Sequence, residues 1–230
     1  DAARLRLAAR VANAARRGEL PAACASLHAR PDPQADDALH LTLTLPSAAP
    51  VAGLDGEELP ALAREGRALM TRALELLRAE HEGFGNARVV AWPARVGIRE
   101  TRRLRGRAVV ERDDVLSGRR RDDEVARSGW PIELWEDHRR ARFAYPAAPC
   151  SIPLGALVSG SHPGLGAAGR CLSASHEAHG ALRVIGTALA TGEAIGVAAA
   201  LAAAGGETLA AVAPARVRAR INDDAEKPLP

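Results

Sequence analysis

Apolar residues predict helices in three stretches of the chain. Residues 2–15 combine alanines with Leu5 and Val11, and Gly18 and Pro21 follow as stop signals. Residues 59–80 place an apolar stripe on one face of a second helix, made of Leu62, Leu69, Ala73, Leu76 and Leu77. Residues 187–204 consist largely of alanine and other small residues. The pattern predicts two amphipathic helices early in the chain and one helix with very little side chain near its end.

Alternating apolar and polar residues mark residues 39–45 as the clearest strand, with one face expected to be buried. Further extended segments are predicted at 89–91, 107–112, 129–135 and 152–158, and short helices near residue 114 and at 122–127. From Gly160 to Gly206 the composition shifts to Gly, Ala and Ser, and we find no internal repeat.

The composition limits the class of protein. With 230 residues, 47% of them hydrophobic and 26% charged, the chain can bury a core as one large domain or two small ones. The net charge is +3, but the arginines are interspersed with acidic residues rather than grouped in blocks. Aromatic residues make up only 3%, so the stacking surfaces of a single-strand binder are missing. We therefore expect no nucleic-acid partner.

Cysteine usage and hydropathy point to a location inside the cell. Cys24, Cys150 and Cys171 are far apart and form no C-x-x-C pair, which disfavours disulfides and structural zinc and favours the cytoplasm. The longest apolar run, residues 194–204, is too short to span a bilayer, so no membrane partner is expected. Because the sequence opens on Asp1 rather than Met, we also expect a segment upstream.

Two stretches resemble known site motifs but lack the required context. Residues 164–169 read G-x-G-x-x-G, yet a polar turn rather than an apolar strand precedes them, so we interpret them as a short glycine-rich strand. His176 and His179 are three residues apart, whereas a helical zinc site needs histidines four apart. We expect no metal and interpret these polar residues as lining a loop, in which His176 can still donate a proton.

The late helix carries a more specific signal. Its small residues let a neighbouring backbone or a flat ligand approach closely, although a helix buried under a sheet would explain the alanines as well. Gly186 and Thr187 open this helix shortly after Arg183. The unpaired N–H groups at a helix start suit an anionic ligand atom.

Five arginines lie close together in the middle of the chain: Arg99, Arg102, Arg103, Arg105 and Arg107. A solvated basic face is one interpretation. Should one or two of them turn inward, their planar guanidinium groups could hold a substrate carboxylate or pair with buried acids. Periodicity leaves both alternatives open.

Several motifs then follow one another in a definite order between residues 59 and 204. They are GIRETRR at 97–103, DVLSGRR at 114–120, GWPI at 129–132, IPLGALV at 152–158, AGRCLSASHEA at 168–178, RV at 183–184 and GEAIG at 192–196. This order resembles the FAD-dependent oxidoreductase family, which is distantly similar to the flavoproteins of fumarate reductase and succinate dehydrogenase. One departure is that Gly166 and Ala167 replace the larger aliphatic residues usual in the family.

The resemblance implies an α/β (α+β) fold that forms the carboxyl-terminal part of a two-domain flavoprotein. Residues 1–157 would belong to a substrate or cap domain, residues 158–206 to the segment that returns to a Rossmann-like FAD domain, and residues 207–230 to a carboxyl-terminal extension. The amino-terminal dinucleotide-binding half is absent from the sequence, so we expect it as a partner in cis or in trans.

The resemblance also implies a site. Gly169 and Arg170 match the turn that contacts the flavin of FAD, and the helix start that faces the ring supplies further cofactor-binding residues, Gly186, Thr187 and Gly192. Arg183, in a pattern similar to the His-Gly-Ala-x-Arg of the fumarate reductase group, would orient a small organic substrate.

The expected reaction is hydride transfer between that substrate and flavin N5, with Arg183 and His176 as the catalytic residues. His176 would act as acid or base, and Arg102 is the second candidate for substrate binding. The alternative is a truncated, non-catalytic remnant that serves as a protein-interaction module.

Overall fold

The structure, a computed structural model, describes residues 2–45, 56–135 and 141–225, with side chains from Leu5 to Asn222 within these ranges. The chain divides into two compact units. The first unit comprises Asp1–Thr101 with Trp135–Ala141, and the second comprises Arg102–Leu134 with Arg142–Pro230. Each unit has its own hydrophobic cluster.

The first unit is built from two helices and a β-hairpin. In chain order its elements are α1 (Ala2–Arg16), a 3₁₀ turn (Ala22–Ser26), β1 (His28–Pro31), β2 (Leu39–Thr42), α2 (Glu58–Glu80) and a 3₁₀ turn (Glu82–Phe84). The strands β1 and β2 pair antiparallel, with Ala29 opposite Leu41. Both predicted helices are confirmed, because α1 and α2 match the predicted segments within two residues at each end.

The buried faces of this unit differ in detail from the expected ones. On α1 the buried stripe consists of Leu7, Val11 and Ala14, whereas Leu5 is 71% exposed. On α2 the buried residues are Leu69, Ala73, Leu74 and Leu77. The strand predicted at 39–45 is shorter than expected and its burial is only partial, because its later leucines pack against the cluster while Leu39 is 42% exposed.

The strands predicted at 89–91 and 107–112 are wrong. Residues 87–94 have no regular structure and Val90 is 81% exposed. Between residues 105 and 111 only isolated bridges form, from Gly106 to Ser159 and from Val110 to Ala174. A strand exists only where a partner strand satisfies its backbone groups, and apolar composition alone does not supply that partner.

The second unit combines four helices with short antiparallel strand pairs. In chain order its regular elements are α3 (Arg112–Ser117), β3 (Glu124–Ser128), β4 (Ile132–Trp135), β5 (Ala141–Ala144), β6 (Cys150–Pro153), α4 (His176–Leu182), α5 (Ile185–Gly205) and α6 (Pro214–Ala225). Further 3₁₀ turns lie at Leu154–Ala156, Gly169–Cys171 and Leu209–Ala211. β3 pairs with β6 and β4 with β5. The described chain is therefore a mixture of helices and small antiparallel sheets, an α+β arrangement.

The helix predicted at 122–127 is wrong, because this segment forms β3. Its pairing with β6 sets Ser128 opposite Cys150 and buries Val125 and Ile152 in the core. The Glu124 carboxylate accepts hydrogen bonds from Arg120, Arg127 and Ser151. Tertiary pairing thus overrides the helical tendency of a charged segment.

Two other local predictions need correction. The segment 164–169 is not a strand, and only Gly166 forms an isolated bridge, with Val158. The residues expected to line a loop at 176–179 begin the helix α4. The extended segment at 152–158 is confirmed only as far as Pro153, where β6 ends, whereas β4 confirms part of the segment at 129–135.

The predicted late helix is confirmed as α5. Its buried face carries small residues four or three apart, Thr187, Thr191, Ala194, Ala198 and Ala202, and this face packs against β3. The opposite face is open, with Ile185 81% and Leu189 70% exposed. In length and composition α5 is the one helix of the described chain that could cross a bilayer, which is weak evidence because core helices pass the same test. The absence of a membrane partner stays a prediction.

The core of the second unit crosses the predicted domain boundaries. Val110, Ile152, Leu172 and Val217 all belong to one buried cluster. Residues before 158, within 158–206 and after 206 therefore pack together. The assignment of these segments to cap domain, FAD domain and extension stays a prediction about function.

Gly118 provides a test of this packing. It ends α3 with φ +66, and a Cβ there would lie 2.7 Å from the carbonyl oxygen of Ala148. Gly118→Ala should lower the free energy of unfolding by about 2 to 3 kcal/mol, because left-handed strain and a backbone clash add. Gly206 is the matched control, because its φ is +63 but a Cβ there would meet no atom within 4 Å. Gly206→Ala should lower the free energy of unfolding by about 1 kcal/mol. If urea unfolding gives the same loss of free energy for both variants, the clash at Gly118 is contradicted.

Candidate functional site

The helix α4 brings three basic side chains to one region of the second unit. The Ser175 hydroxyl caps its start by accepting from the Ala178 N–H at 3.4 Å. His179 follows His176 by three residues and precedes Arg183 by four, so all three share one side of the helix. Gly180 lets α4 lie directly on β4, since a Cβ there would be 2.8 Å from the Glu133 carbonyl oxygen.

His179 is the buried centre of this region. Its side chain is 0% exposed, and its Nε2 lies 3.0 Å from the Arg170 carbonyl oxygen. Burial is the main cause that lowers the pKa of His179 to about 4, and the nearby charges of Arg183, Arg103 and His176 act in the same direction. The imidazole is therefore neutral at pH 7. Because a carbonyl oxygen only accepts, the proton of the neutral ring lies on Nε2.

The predicted catalytic residues His176 and Arg183 meet around this histidine. The Arg183 guanidinium is oriented by donating to the Glu133 carbonyl oxygen at 2.8 Å. His176 is exposed and Arg183 is half-buried. Both are close enough to influence the charge state of His179. The structure thus assembles the two residues that the sequence singled out.

Arg103 joins the same group, although the sequence favoured its neighbour Arg102. A hydrogen bond of 2.8 Å from the Leu104 N–H to the Cys171 carbonyl oxygen aligns the arginine-rich segment with the Gly169–Cys171 turn. Arg103 is half-buried and acts on His179, whereas Arg102 is exposed. No sequence signal separates two adjacent arginines, because the choice depends on which one faces α4. The substrate role of Arg102 stays a prediction.

The predicted cofactor residues Gly169 and Arg170 form a turn that rests on the first part of α5. Gly169 has φ +59, and its N–H donates to the Thr191 Oγ1 at 3.0 Å. A Cβ at Gly169 would lie 3.3 Å from the Ala188 Cβ. Gly169 is buried while Arg170 is exposed, and the turn packs against α5.

The start of α5 is exposed and has no side-chain cap. Val184 occupies the N-cap position without a side-chain hydrogen bond, which leaves the N–H groups of the first turn available. A Cβ at Gly186 or at Gly192 would meet no atom within 4 Å, so among the described residues no backbone approaches either glycine. The Thr187 side chain faces the core and donates to the Ser128 Oγ at 3.1 Å. Thr187 is buried, so its side chain is not part of the open surface at the helix start.

A separate cleft lies in the first unit, with a volume of about 460 Å³. Its lining residues are Arg6, Ala9, Arg10, Asn13, Arg17, Glu80 and His81. Arg10 is paired with the Glu80 carboxylate at 3.7 Å, and Arg17 is paired with Glu19. Much of its positive charge is thus already balanced. In the described residues no group of three or more His, Cys, Asp or Glu side chains could hold a metal ion.

The second unit thus joins a glycine turn to an uncapped helix start in an α+β chain. The chain belongs to the FAD-dependent oxidoreductase family, whose model matches residues 3–221. The family makes it a flavoprotein oxidoreductase and implies FAD as its cofactor. No curated protein and no solved structure gave a significant match. The exposed N–H groups near Gly186, the Gly169 turn and the absence of a side chain at either glycine fit the polar edge of a flat ring.

The neutral state of His179 predicts a pH dependence of stability. Its pKa is lowered from an unfolded value near 6.5 to about 4, so the unfolded chain binds the proton first as the pH falls. The free energy of unfolding therefore falls as the pH is lowered from about 6.5 to about 4. The total loss caused by His179 is about 3 kcal/mol. His179→Gln should flatten that part of the profile in urea unfolding. The exposed His162→Gln serves as the control, and identical slopes in the two variants would disprove the role of His179.

Proposed function

We propose that this chain forms the flavin-facing part of an FAD-dependent oxidoreductase that acts on a small organic substrate. The observation that carries the proposal is the contact between the Gly169 turn and the uncapped start of α5. FAD, when bound, would exchange a hydride with the substrate at its N5 position. The protein residues would bind the ring, orient the substrate and move protons.

The start of α5 would hold the polar edge of the flavin. The N–H groups of Ile185, Gly186 and Thr187 precede the first hydrogen bond within the helix, which the Ala188 N–H makes to Val184. Together with the positive end of the helix dipole they favour negative charge on that edge. Gly169, Arg170 and Gly192 would complete the contact surface. Thr187 would contribute through its backbone, since its hydroxyl is bonded to Ser128.

Arg183 and His176 would act on the substrate. The Glu133 carbonyl fixes the direction of the Arg183 guanidinium, and such a fixed planar group suits a carboxylate or a polarised carbonyl. His176 is exposed, so it can exchange protons with water as acid or base. Neutral His179 would add no positive charge near the substrate at physiological pH. Arg102 is the second proposed substrate residue.

The proposal includes an amino-terminal dinucleotide-binding half, joined in cis or supplied in trans. The residues of the G-x-G-x-x-G stretch follow a polar turn and not a strand, so they do not provide a phosphate loop. The open side of α5, with Ile185 and Leu189 exposed, supports a covering partner. We propose a cytoplasmic location and neither nucleic-acid nor membrane partners.

The same open apolar face supports the second candidate, a non-catalytic module that binds another protein through α5. The two candidates differ in whether FAD binds at all. They are distinguished by the following experiment.

The chain should acquire flavin absorbance when it is purified together with a polypeptide that carries a strand followed by G-x-G-x-x-G, such as one encoded next to it. The reason is that the phosphate contacts come from that half and the ring contacts from this one. The measurement is the visible spectrum of each sample after gel filtration. Colour in the mixture alone would support a half supplied in trans. Colour with neither sample, and an unchanged melting temperature on adding FAD, would favour the interaction module.

Arg183→Lys should slow the chemistry more than it affects cofactor content. With any small organic substrate that bleaches the flavin absorbance, the bleaching rate should fall on the order of tenfold, because lysine cannot reproduce the guanidinium hydrogen bonds. Flavin content per chain should stay near that of the unmodified protein. Arg216→Lys, on the exposed side of α6, is the matched control. An equal loss of rate and flavin would make Arg183 a cofactor-binding or folding residue instead.

A further inference from the structure

We infer that Thr191 is a positioning residue that holds the Gly169 turn in place for the cofactor. The inference rests on the proposed function, because it assigns the purpose of this turn to flavin binding. Thr191 would touch neither cofactor nor substrate. It would act through the backbone of Gly169.

The Thr191 hydroxyl directs its proton towards its own helix. It is 0% exposed, and it donates to the Thr187 carbonyl oxygen at 2.7 Å, with the Ala188 carbonyl oxygen at 3.2 Å as a second acceptor. Because a hydroxyl has a single proton, either bond leaves a lone pair of the oxygen free to accept from another group. That lone pair accepts the Gly169 N–H at 3.0 Å. A fixed acceptor of this kind sets the position of the donor.

Gly169 needs such an acceptor. Its backbone is in the left-handed region at φ +59, between the extended Ala168 and the exposed Arg170. Its N–H is buried, and a buried N–H without an acceptor costs free energy comparable to a lost hydrogen bond. The turn also lies close to Ala188, so it cannot move inward to find another partner. The contact with Thr191 therefore determines where Gly169 and Arg170 stand relative to the helix start.

The same contact connects the cofactor side of the site to the substrate side. The Arg170 carbonyl, which follows Gly169 directly, accepts the bond from His179 on α4. A second chain of hydroxyls runs from Thr187 to Ser128 and on to the Ala181 carbonyl at 3.1 Å. Ser128 thus stabilises the same packing of α5 without contacting the Gly169 turn. This difference provides a matched control.

The experiment compares Thr191→Val, Thr191→Ser and Ser128→Ala in the complete chain, combined with the dinucleotide-binding half if that half is separate. Three quantities are measured: the exchange rate of the Gly169 amide proton by NMR, the melting temperature, and the dissociation constant for FAD by titration of the flavin absorbance. Thr191→Val keeps the side-chain volume and removes the hydroxyl. Thr191→Ser keeps the hydroxyl.

In Thr191→Val we expect faster exchange of the Gly169 amide and FAD binding weakened about five- to tenfold, the value of one hydrogen bond. Thr191→Ser should restore both quantities. Ser128→Ala should lower the melting temperature about as much as Thr191→Val does, leave the exchange of the Gly169 amide unchanged, and weaken FAD binding less than Thr191→Val does. If the role of Thr191 is merely structural, Thr191→Val and Ser128→Ala should have the same effect on the exchange of the Gly169 amide and on FAD affinity.

Two results would overturn the inference. Unchanged exchange of the Gly169 amide in Thr191→Val would show that the hydroxyl does not hold the turn. Faster exchange with unchanged FAD affinity would show that the turn does not serve the cofactor. The failure of the proposed function has a different signature, namely that the unmodified protein binds no FAD under any of these conditions, and it would remove the flavin part of the inference as well.

Discussion

The second unit depends on the close packing of one helix face made of small residues. Thr187, Thr191, Ala194, Ala198 and Ala202 form a nearly flat face on α5, and this face packs against β3 and the Gly169 turn. Small side chains allow this contact because they keep the backbones close, which brings hydroxyls and amides within hydrogen-bonding distance. The threonines then fix the position of the helix through bonds to Ser128 and Gly169. On the opposite face of α5, Ile185 and Leu189 are exposed, and this is the side for which we propose a covering polypeptide.

The electrostatic arrangement of the site follows from the same packing. α4 is capped by Ser175 and lies on β4 through Gly180, which sets His179 in the interior and His176 at the surface. The buried imidazole cannot carry a charge at neutral pH, because it has lost its water and has arginines for neighbours. It therefore serves as a hydrogen-bond donor to the Arg170 backbone. One neutral histidine thus lies between the turn proposed for the cofactor and Arg183, the residue proposed to orient the substrate.

The parts of the fold that the sequence predicted well are those whose stability is largely local. α1 and α2 follow from apolar residues at helical spacing and from helix-stopping residues, and α5 follows from a long run of small apolar residues. All three helices were confirmed. The failures lie where a partner decides the conformation. The local sequence predicts a helix at residues 122–127, but this segment pairs with β6 as a strand. It predicts a strand at residues 89–91, but this segment has no partner strand. Hydrogen-bonding partners far away in the chain leave no trace in local composition.

The sequence by itself determined the family, because the order of its glycine, arginine and histidine motifs can be recognised without knowing any contacts. The family model matches residues 3–221. It also directed attention to Gly169, His176 and Arg183. Only the tertiary structure decided that Arg103 acts electrostatically on His179 while Arg102 is exposed, that Thr187 donates its hydroxyl to Ser128, and that the Thr191 hydroxyl accepts the Gly169 N–H. These outcomes depend on which side of each element meets a neighbour. That information is carried by packing between distant segments and not by the spacing of residues along the chain.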